Sequence, residues 1–236
     1  MPDPFALTTG FAELDAGPTV RVRVWDLPTR IFHWVLALAV IAQLTTGLSG
    51  LMEWHLRNGY LLLALLLFRL VWGFIGGHWS RFASFLHSPV AVVNYLRGRA
   101  HPDQLIGHSP LGALSVFALL VFLIAQVATG LVSDDEASAS GPLTRFVSTA
   151  TVGLASTWHV AVGKWVVLGL VLLHILAIVF YVAVRRQHLV RPMISGDKLL
   201  THKAQGSQDN AGTRLVALVI FSCCLALAYW ISTLRS

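Results

Sequence analysis

The sequence predicts an all-α integral membrane protein with five transmembrane helices. Of its 236 residues, 56% are hydrophobic and 12% charged, too apolar for a soluble domain. Five apolar runs of the length that crosses a bilayer occupy roughly 31–50, 58–77, 111–132, 160–184 and 213–234. Basic residues gather in alternate flanks and loops, the pattern that orients membrane proteins.

Residues 1–21, "MPDPFALTTGFAELDAG" and the four that follow, read as a short cytoplasmic leader. The quoted part is acidic and lacks the basic start and apolar centre of a signal peptide. Arg21, Arg23 and Arg30 precede span one; Arg81, Arg97 and Arg99 follow span two; Arg185, Arg186, Arg191, Lys198, Lys203 and Arg214 precede span five. The other two loops hold Arg57 and Arg145, with Lys164 at the mouth of span four and an acidic "SDDEAS" in the second. This bias places the N-terminus in the cytoplasm and the C-terminus outside. The formal charge of +6 and pI near 9.9 follow from that topology, which leaves nucleic acid without support as a partner. The stretch 82–99 reads as a helix on the cytoplasmic membrane surface. Residues 199–212 read as a flexible linker, and no repeat of fixed period stands out. Cys223 and Cys224 are adjacent on one helix, so they point apart and form no convergent site. No C-x-x-C-H is present, which excludes covalent haem.

The chemistry lies in the ten histidines. Six sit in or beside loops. His33, His55, His159 and His174 sit at span ends or within a span, where an imidazole is costly unless something bonds it. In the predicted topology His33 is near the cytoplasmic end of span one, and His55 lies outside, before span two. His159 opens span four from outside, and His174 follows fifteen residues later, roughly 22 Å deeper and on nearly the same face. The four therefore make two pairs at two depths, His55 with His159 and His33 with His174. Zinc wants more protein ligands than a pair offers, and electron-transfer copper wants a thiolate. Haem takes two axial ligands, and two histidines leave no open iron position, which favours electron transfer.

The segments "VRVWDLPTRIFHW", "HLRNGYLLLALLLFRLVWGFIGG", "GHSPLGALSV", "TGLVSDDEASASGPL" and "LHILAIVFYVAVRRQHLVRPMISGDK" resemble the bacterial cytochrome b561 family. That group includes the cytochrome b subunits of nickel–iron hydrogenases and formate dehydrogenases. The resemblance spans about 22–198 and implies a four-helix bundle holding two non-covalent haems b in the inner membrane. It implies axial ligands at His33, His55, His159 and His174, paired as above. Three features depart from the family pattern. The two histidines of span four are fifteen residues apart where relatives commonly have fourteen, which a local helix bulge or rotated haem planes would absorb. Ser109 stands where many relatives have asparagine, and the span at 213–234 lies outside the four-helix core.

Arg69, deep in span two, suits a haem propionate; the competing reading is snorkelling to the interface. Arg30 reads either as a partner of the inner propionates or as a positive-inside anchor. Arg57 and Lys164 flank the outer pair, with lipid headgroups as the competing partners. The resemblance points to His108 and Ser109 for quinone, against a plain helix-capping turn. The resulting expectation is an electron carrier between the membrane quinone pool and an external partner such as a periplasmic cytochrome c. The alternatives are the anchor subunit of a hydrogenase or dehydrogenase, a superoxide:quinone oxidoreductase, and, without redox chemistry, a proton-coupled transporter. The "SDDE" run reads as a dock for a basic partner or as a solvated loop.

Overall fold

The computed structural model describes residues 19–99, 101–136 and 139–234, so most of the leader lies outside the described residues. Lipid offers backbone N–H and C=O groups no water to bond, so each apolar run closes its own hydrogen bonds as a helix. Strand β1 (Val20–Arg23) leads into α1 (Leu27–Leu48), and a tight turn through Gly50, at φ 70°, leads into α2 (Met52–Ile75). The short α3 (Pro89–Leu96) is capped by Ser88 and lies within the stretch expected at the membrane surface. Span three is α4 (Pro110–Leu131), and span four is composite. Its α5 (Thr149–Thr157) passes through a π-helical turn, Trp158–Gly163, into α6 (Lys164–Ala183). The chain then forms α7 (Val190–Ser195), strand β2 (Asp197–Leu200) and α8 (Ala211–Thr233).

Among the described residues five helices are long and apolar enough to cross a membrane, and two of their limits and one connecting segment correct the reading from composition. Span four starts at Thr149 because Ser148 caps it, its hydroxyl accepting from Thr151 N–H at 3.2 Å. Small uncharged residues then carry the helix past the apolar boundary. His55 lies inside the first turn of α2 rather than before it. The segment 199–212 is no flexible linker. β2 pairs antiparallel with β1, Val20 opposite Leu200 and Arg23 opposite Asp197. Ser207 Oγ donates to the Val24 carbonyl at 2.7 Å, and Trp79 Nε1 donates to that of Gln205 at 2.7 Å. Asp209 takes Arg214 at 2.8 Å and Arg23 at 3.2 Å. Burial alone would raise the Asp209 carboxyl, but the bonds from Arg214 and the Leu27 amide, with the Arg23 charge, hold it below its ordinary value. Composition misses this strap because most of its bonds come from residues far away in the chain, 126 positions for Trp79 and 183 for Val24.

The core lies along α2, whose Leu62, Leu65, Leu66, Phe68 and Trp72 are buried. α1 packs on one side of it and α8 on another. Ala217, Cys224 and Ala228 are the buried residues of α8, small enough for two backbones to approach closely, as membrane helix interfaces require.

One carboxylate joins the inner ends of these helices. Asp26, wholly buried, caps α1 by accepting from Thr29 N–H at 2.8 Å. It also accepts from Trp72 Nε1 at 3.3 Å, Gly77 N–H at 3.0 Å and Ser80 Oγ at 2.7 Å. A Cβ at Gly77 would stand 2.3 Å from its Oδ2, so only glycine fits there. Asp26→Leu leaves these donors buried without an acceptor, at about 1–3 kcal/mol each. Thermal unfolding of the purified protein in detergent is expected to show a loss of several kcal/mol, and Asp26→Asn an intermediate one.

Candidate functional site

The outer pair of histidines is brought together by four helices. His55, in the first turn of α2, and His159, in the π-helical turn, have ring centroids 6.1 Å apart and ring planes at 87°. Each Nδ1 bonds a main-chain carbonyl of a glutamine: Gln43 on α1 at 3.1 Å for His55, Gln126 on α4 at 2.9 Å for His159. With Nδ1–H donating, Nε2 carries the lone pair, the tautomer a metal ligand needs. At His55 that lone pair faces the Gln43 carboxamide nitrogen at 3.0 Å, so a metal bound there displaces this amide. Two glycines make room for the rings. A Cβ at Gly47 would stand 3.0 Å from the His55 imidazole, and one at Gly130 2.8 Å from that of His159.

The sequence carries a signal for this arrangement that the search for fixed periods missed. "IAQLTTGL" at 41–48 returns as "IAQVATGL" at 124–131, and it supplies both glutamine carbonyls and both glycines. The expected bulge in span four is the π-helical turn itself. It absorbs one residue and restores the register that a fourteen-residue spacing would have. Gln126 Nε2 donates to the His159 carbonyl at 2.9 Å, and Gly163 lets its carboxamide lie there, since a Cβ would meet Oε1 at 2.0 Å.

At the other end, His33 on α1 and His174 on α6 lie within electrostatic reach of each other and of His108. His33 Nδ1 is buried with no hydrogen-bond partner, and His174 Nδ1 is 3.4 Å from Ser115 Oγ. Arg69 is 4% exposed, so its side chain is enclosed by protein. Its guanidinium lies over the Phe82 ring, 4.6 Å from the centroid, and its Nη1 is buried without a partner. Among the described residues no carboxylate lies within ion-pair distance of it, although Asp26 is close enough to act on its charge. His108 is wedged between Trp25 and Phe85, at 4.7 and 4.5 Å between ring centroids. Burial, then the Arg69 charge and the neighbouring imidazoles, pull its pKa down to about 3.

The remaining sequence-derived candidates divide. Lys164 lines the outer cleft beside His159, together with Asp134 and Asp135 of the acidic run. Arg57 does not line it and instead pairs with Glu53 on the helix surface. Arg30 bonds the Ile194 carbonyl at 2.6 Å and Asp209 at 3.8 Å, so its charge serves the inner strap. Ser109 caps α4, its hydroxyl accepting from Gly112 N–H at 3.2 Å. It also borders a cavity of about 540 Å³ with Tyr181, Gln187 and Lys198. Among the described residues no three His, Cys, Asp or Glu side chains converge on a metal site.

Residues 24–196 match the family model described as prokaryotic cytochrome b561. The chain belongs to that family. It is 28% identical over 218 residues to a probable Ni/Fe-hydrogenase B-type cytochrome subunit of Bradyrhizobium diazoefficiens, covering 77% of this chain and 86% of the relative. The protein so described in Azotobacter vinelandii is 28% identical over 229 residues, covering 81% and 94%. That of Escherichia coli K12, a probable Ni/Fe-hydrogenase 1 B-type cytochrome subunit, is 24% identical over 145 residues, covering 49% and 61%. No solved structure gives a significant match.

This is therefore a membrane b-type cytochrome, and the group to be fitted is haem b. Two imidazoles bound to one metal through bonds of about 2 Å place their ring centres ~6 Å apart, which the outer pair meets at 6.1 Å. At the inner end, His33 and His174 offer two imidazoles, and Arg69 is a buried cation whose Nη1 has no hydrogen-bond partner, a suitable partner for a propionate. The residues fit.

His108 stays neutral in the fold but protonates on unfolding below its ordinary pKa of about 6.5. Its contribution to stability is complete above pH 6.5 and declines as pH falls towards 3. In His108→Phe, which keeps a ring between Trp25 and Phe85, the fall of the melting temperature between pH 6.5 and 4 is expected to be shallower.

Proposed function

We propose that this cytochrome carries electrons between the membrane quinone pool and an external redox-enzyme partner, through two haems b held by paired histidines. The observation that carries the proposal is that His55 and His159 meet at one end of the bundle while His33 and His174 come within electrostatic reach at the other, span four contributing one histidine to each end. Bound haem supplies a one-electron couple at each end. His55 and His159 would hold the outer group, with each Nδ1 tied to a glutamine carbonyl so that the ring cannot rotate away. His33 and His174 would hold the inner one, with Arg69 placed to neutralise a propionate. The basic loops support an inner end in the cytoplasm and the acidic Asp134 and Asp135 on the outside, where a basic surface of a partner would find them.

The relatives named as hydrogenase cytochrome subunits favour a redox enzyme over a free cytochrome c as the external partner. Quinol is assigned to the inner end. There a cavity is bordered by Gly107, Ser109 and Tyr181, the residues on either side of the buried His108 line it, and the cytoplasmic surface takes up or gives off protons.

Redox titration of the purified protein, with and without quinol, tests this. Two haems b should titrate, and quinol should reduce the inner one first. Replacing His159 or His55 is expected to remove the outer haem alone, and replacing His33 or His174 the inner one alone. If the His33 and His159 variants lose the same haem, the pairing is overturned. A colourless protein from haem-sufficient cells would instead support a transporter.

Arg69→Leu removes the positive charge beside the inner propionate, which leaves the ferric state relatively more stable. The inner potential is expected to fall while the outer one holds, with 1.4 kcal/mol corresponding to about 60 mV for one electron. Arg69→Lys should recover part of the shift, because the charge survives and the bidentate geometry does not. An unchanged inner potential in Arg69→Leu, with both haems bound, would refute the pairing with propionate.

A further inference from the structure

The threonine and main-chain contacts of the repeated segment recur in both of its copies, with Thr129 Oγ1 in addition 3.5 Å from His159 Nδ1. On α1, Thr46 Oγ1 donates to the Ala42 carbonyl at 2.7 Å and to that of Gln43 at 3.2 Å. On α4, Thr129 Oγ1 donates to the Ala125 carbonyl at 2.7 Å and to that of Gln126 at 3.1 Å. In each copy the glutamine carbonyl also accepts from the Nδ1 of an outer histidine. The glycine that follows the threonine lies against that imidazole. Bilayer crossing alone does not ask for this, since any apolar residues at these positions would serve.

Each residue of A-Q-x-x-T-G has a physical task. A helix carbonyl within the main-chain ladder keeps a second lone pair, but neighbouring side chains usually screen it. A threonine that bonds back to the carbonyl four residues earlier bends the helix locally and turns the intervening carbonyl outward. The glycine removes the Cβ that would otherwise push the ring away. A histidine from the neighbouring helix then finds both an acceptor and a flat surface. Such partners fix a ligand's ring orientation and raise its donor strength towards the metal.

We infer that A-Q-x-x-T-G is a histidine clamp used twice, in which Thr46 and Thr129 are positioning residues that set the orientation and donor strength of the two outer axial imidazoles. The clamp holds the two rings at 87° to each other. Low-spin ferric iron between perpendicular imidazoles has a strongly anisotropic electron paramagnetic resonance (EPR) signal, whose largest g value falls as the ring planes turn towards parallel. The inference rests on the assignment of a bis-histidine haem to His55 and His159.

The test uses the full-length protein purified with its haems, with Thr46→Val and Thr129→Val to remove the hydroxyl at constant volume and the corresponding serine variants to restore it. EPR spectroscopy and potentiometric titration are the readouts. The wild type should show a strongly anisotropic outer haem. Either valine variant should lower its largest g value. Each should also raise its potential by a threefold to tenfold shift in the reduction equilibrium, tenfold being ~59 mV for one electron. The rise follows from a longer Nδ1–H···O bond and a weaker donor. Serine should restore both values, and the inner haem should not respond. Loss of the outer haem in the valine variants, with retention in the serine ones, also supports the clamp; loss in both sets overturns it. Valine variants that keep both haems with wild-type g values and potentials overturn the clamp and leave the haem assignment standing. A wild type that binds no outer haem overturns that assignment, and the clamp with it.

Discussion

A carboxylate without solvent holds the inner end of this molecule together. Asp26 is buried at the start of α1, where an unpaired charge would cost several kcal/mol. It is tolerated because four donors from three different places in the chain converge on it. Satisfying it fixes where α1 starts, where α2 ends and how the chain turns through Gly77 and Ser80. His33 lies two helical turns beyond that cap, and Arg69 lies one turn before Trp72. The positions of both therefore follow from how this one charge is solvated by protein.

The two ends of the bundle position their histidines by different means. Outside, the rings are tied directly to main-chain carbonyls, which cannot be lost by substitution, and glycines supply the clearance. Inside, His33 Nδ1, His108 Nδ1 and Arg69 Nη1 are buried without hydrogen-bond partners, and outside so are Gln126 Oε1 and Trp158 Nε1. Buried polar groups in that state are rare in a folded protein and ask for an explanation. An anionic ligand beside Arg69 would account for one of them.

The family match ends at residue 196, and the part beyond it is more than an appended span. β2 and the strap to Asp209 close over β1 and bind Arg23 and Arg30, and α8 then lies along α2. An arginine that the sequence offers as a haem partner is thereby drawn into the strap, because Asp209 is a carboxylate within its reach. The extra helix packs along α2, which α1 also covers, and α2 is the most enclosed of the spans.

The number of spans, their approximate places and the sorting of four histidines into two depths were all legible in the sequence. Each depends only on local hydropathy, charge bias and the rise of a helix. The π-helical turn was half legible, since an unusual fifteen-residue spacing asks for a bulge without saying where it falls. Long-range partners were not legible. That Arg57 turns to Glu53, that Arg30 turns to Asp209, and that the linker is a strand with a bonded strap depend on which distant groups meet. Periodicity along the chain does not contain that. The clamp lies between the two cases. Its repeat was visible in the letters, but its meaning required the fold to bring His55 and His159 against the two glutamine carbonyls. Sequence alone determined how many helices are apolar enough to cross a membrane and roughly where along the chain they lie; tertiary structure decided which atoms their side chains bond, because a hydrogen bond needs a partner within about 3 Å.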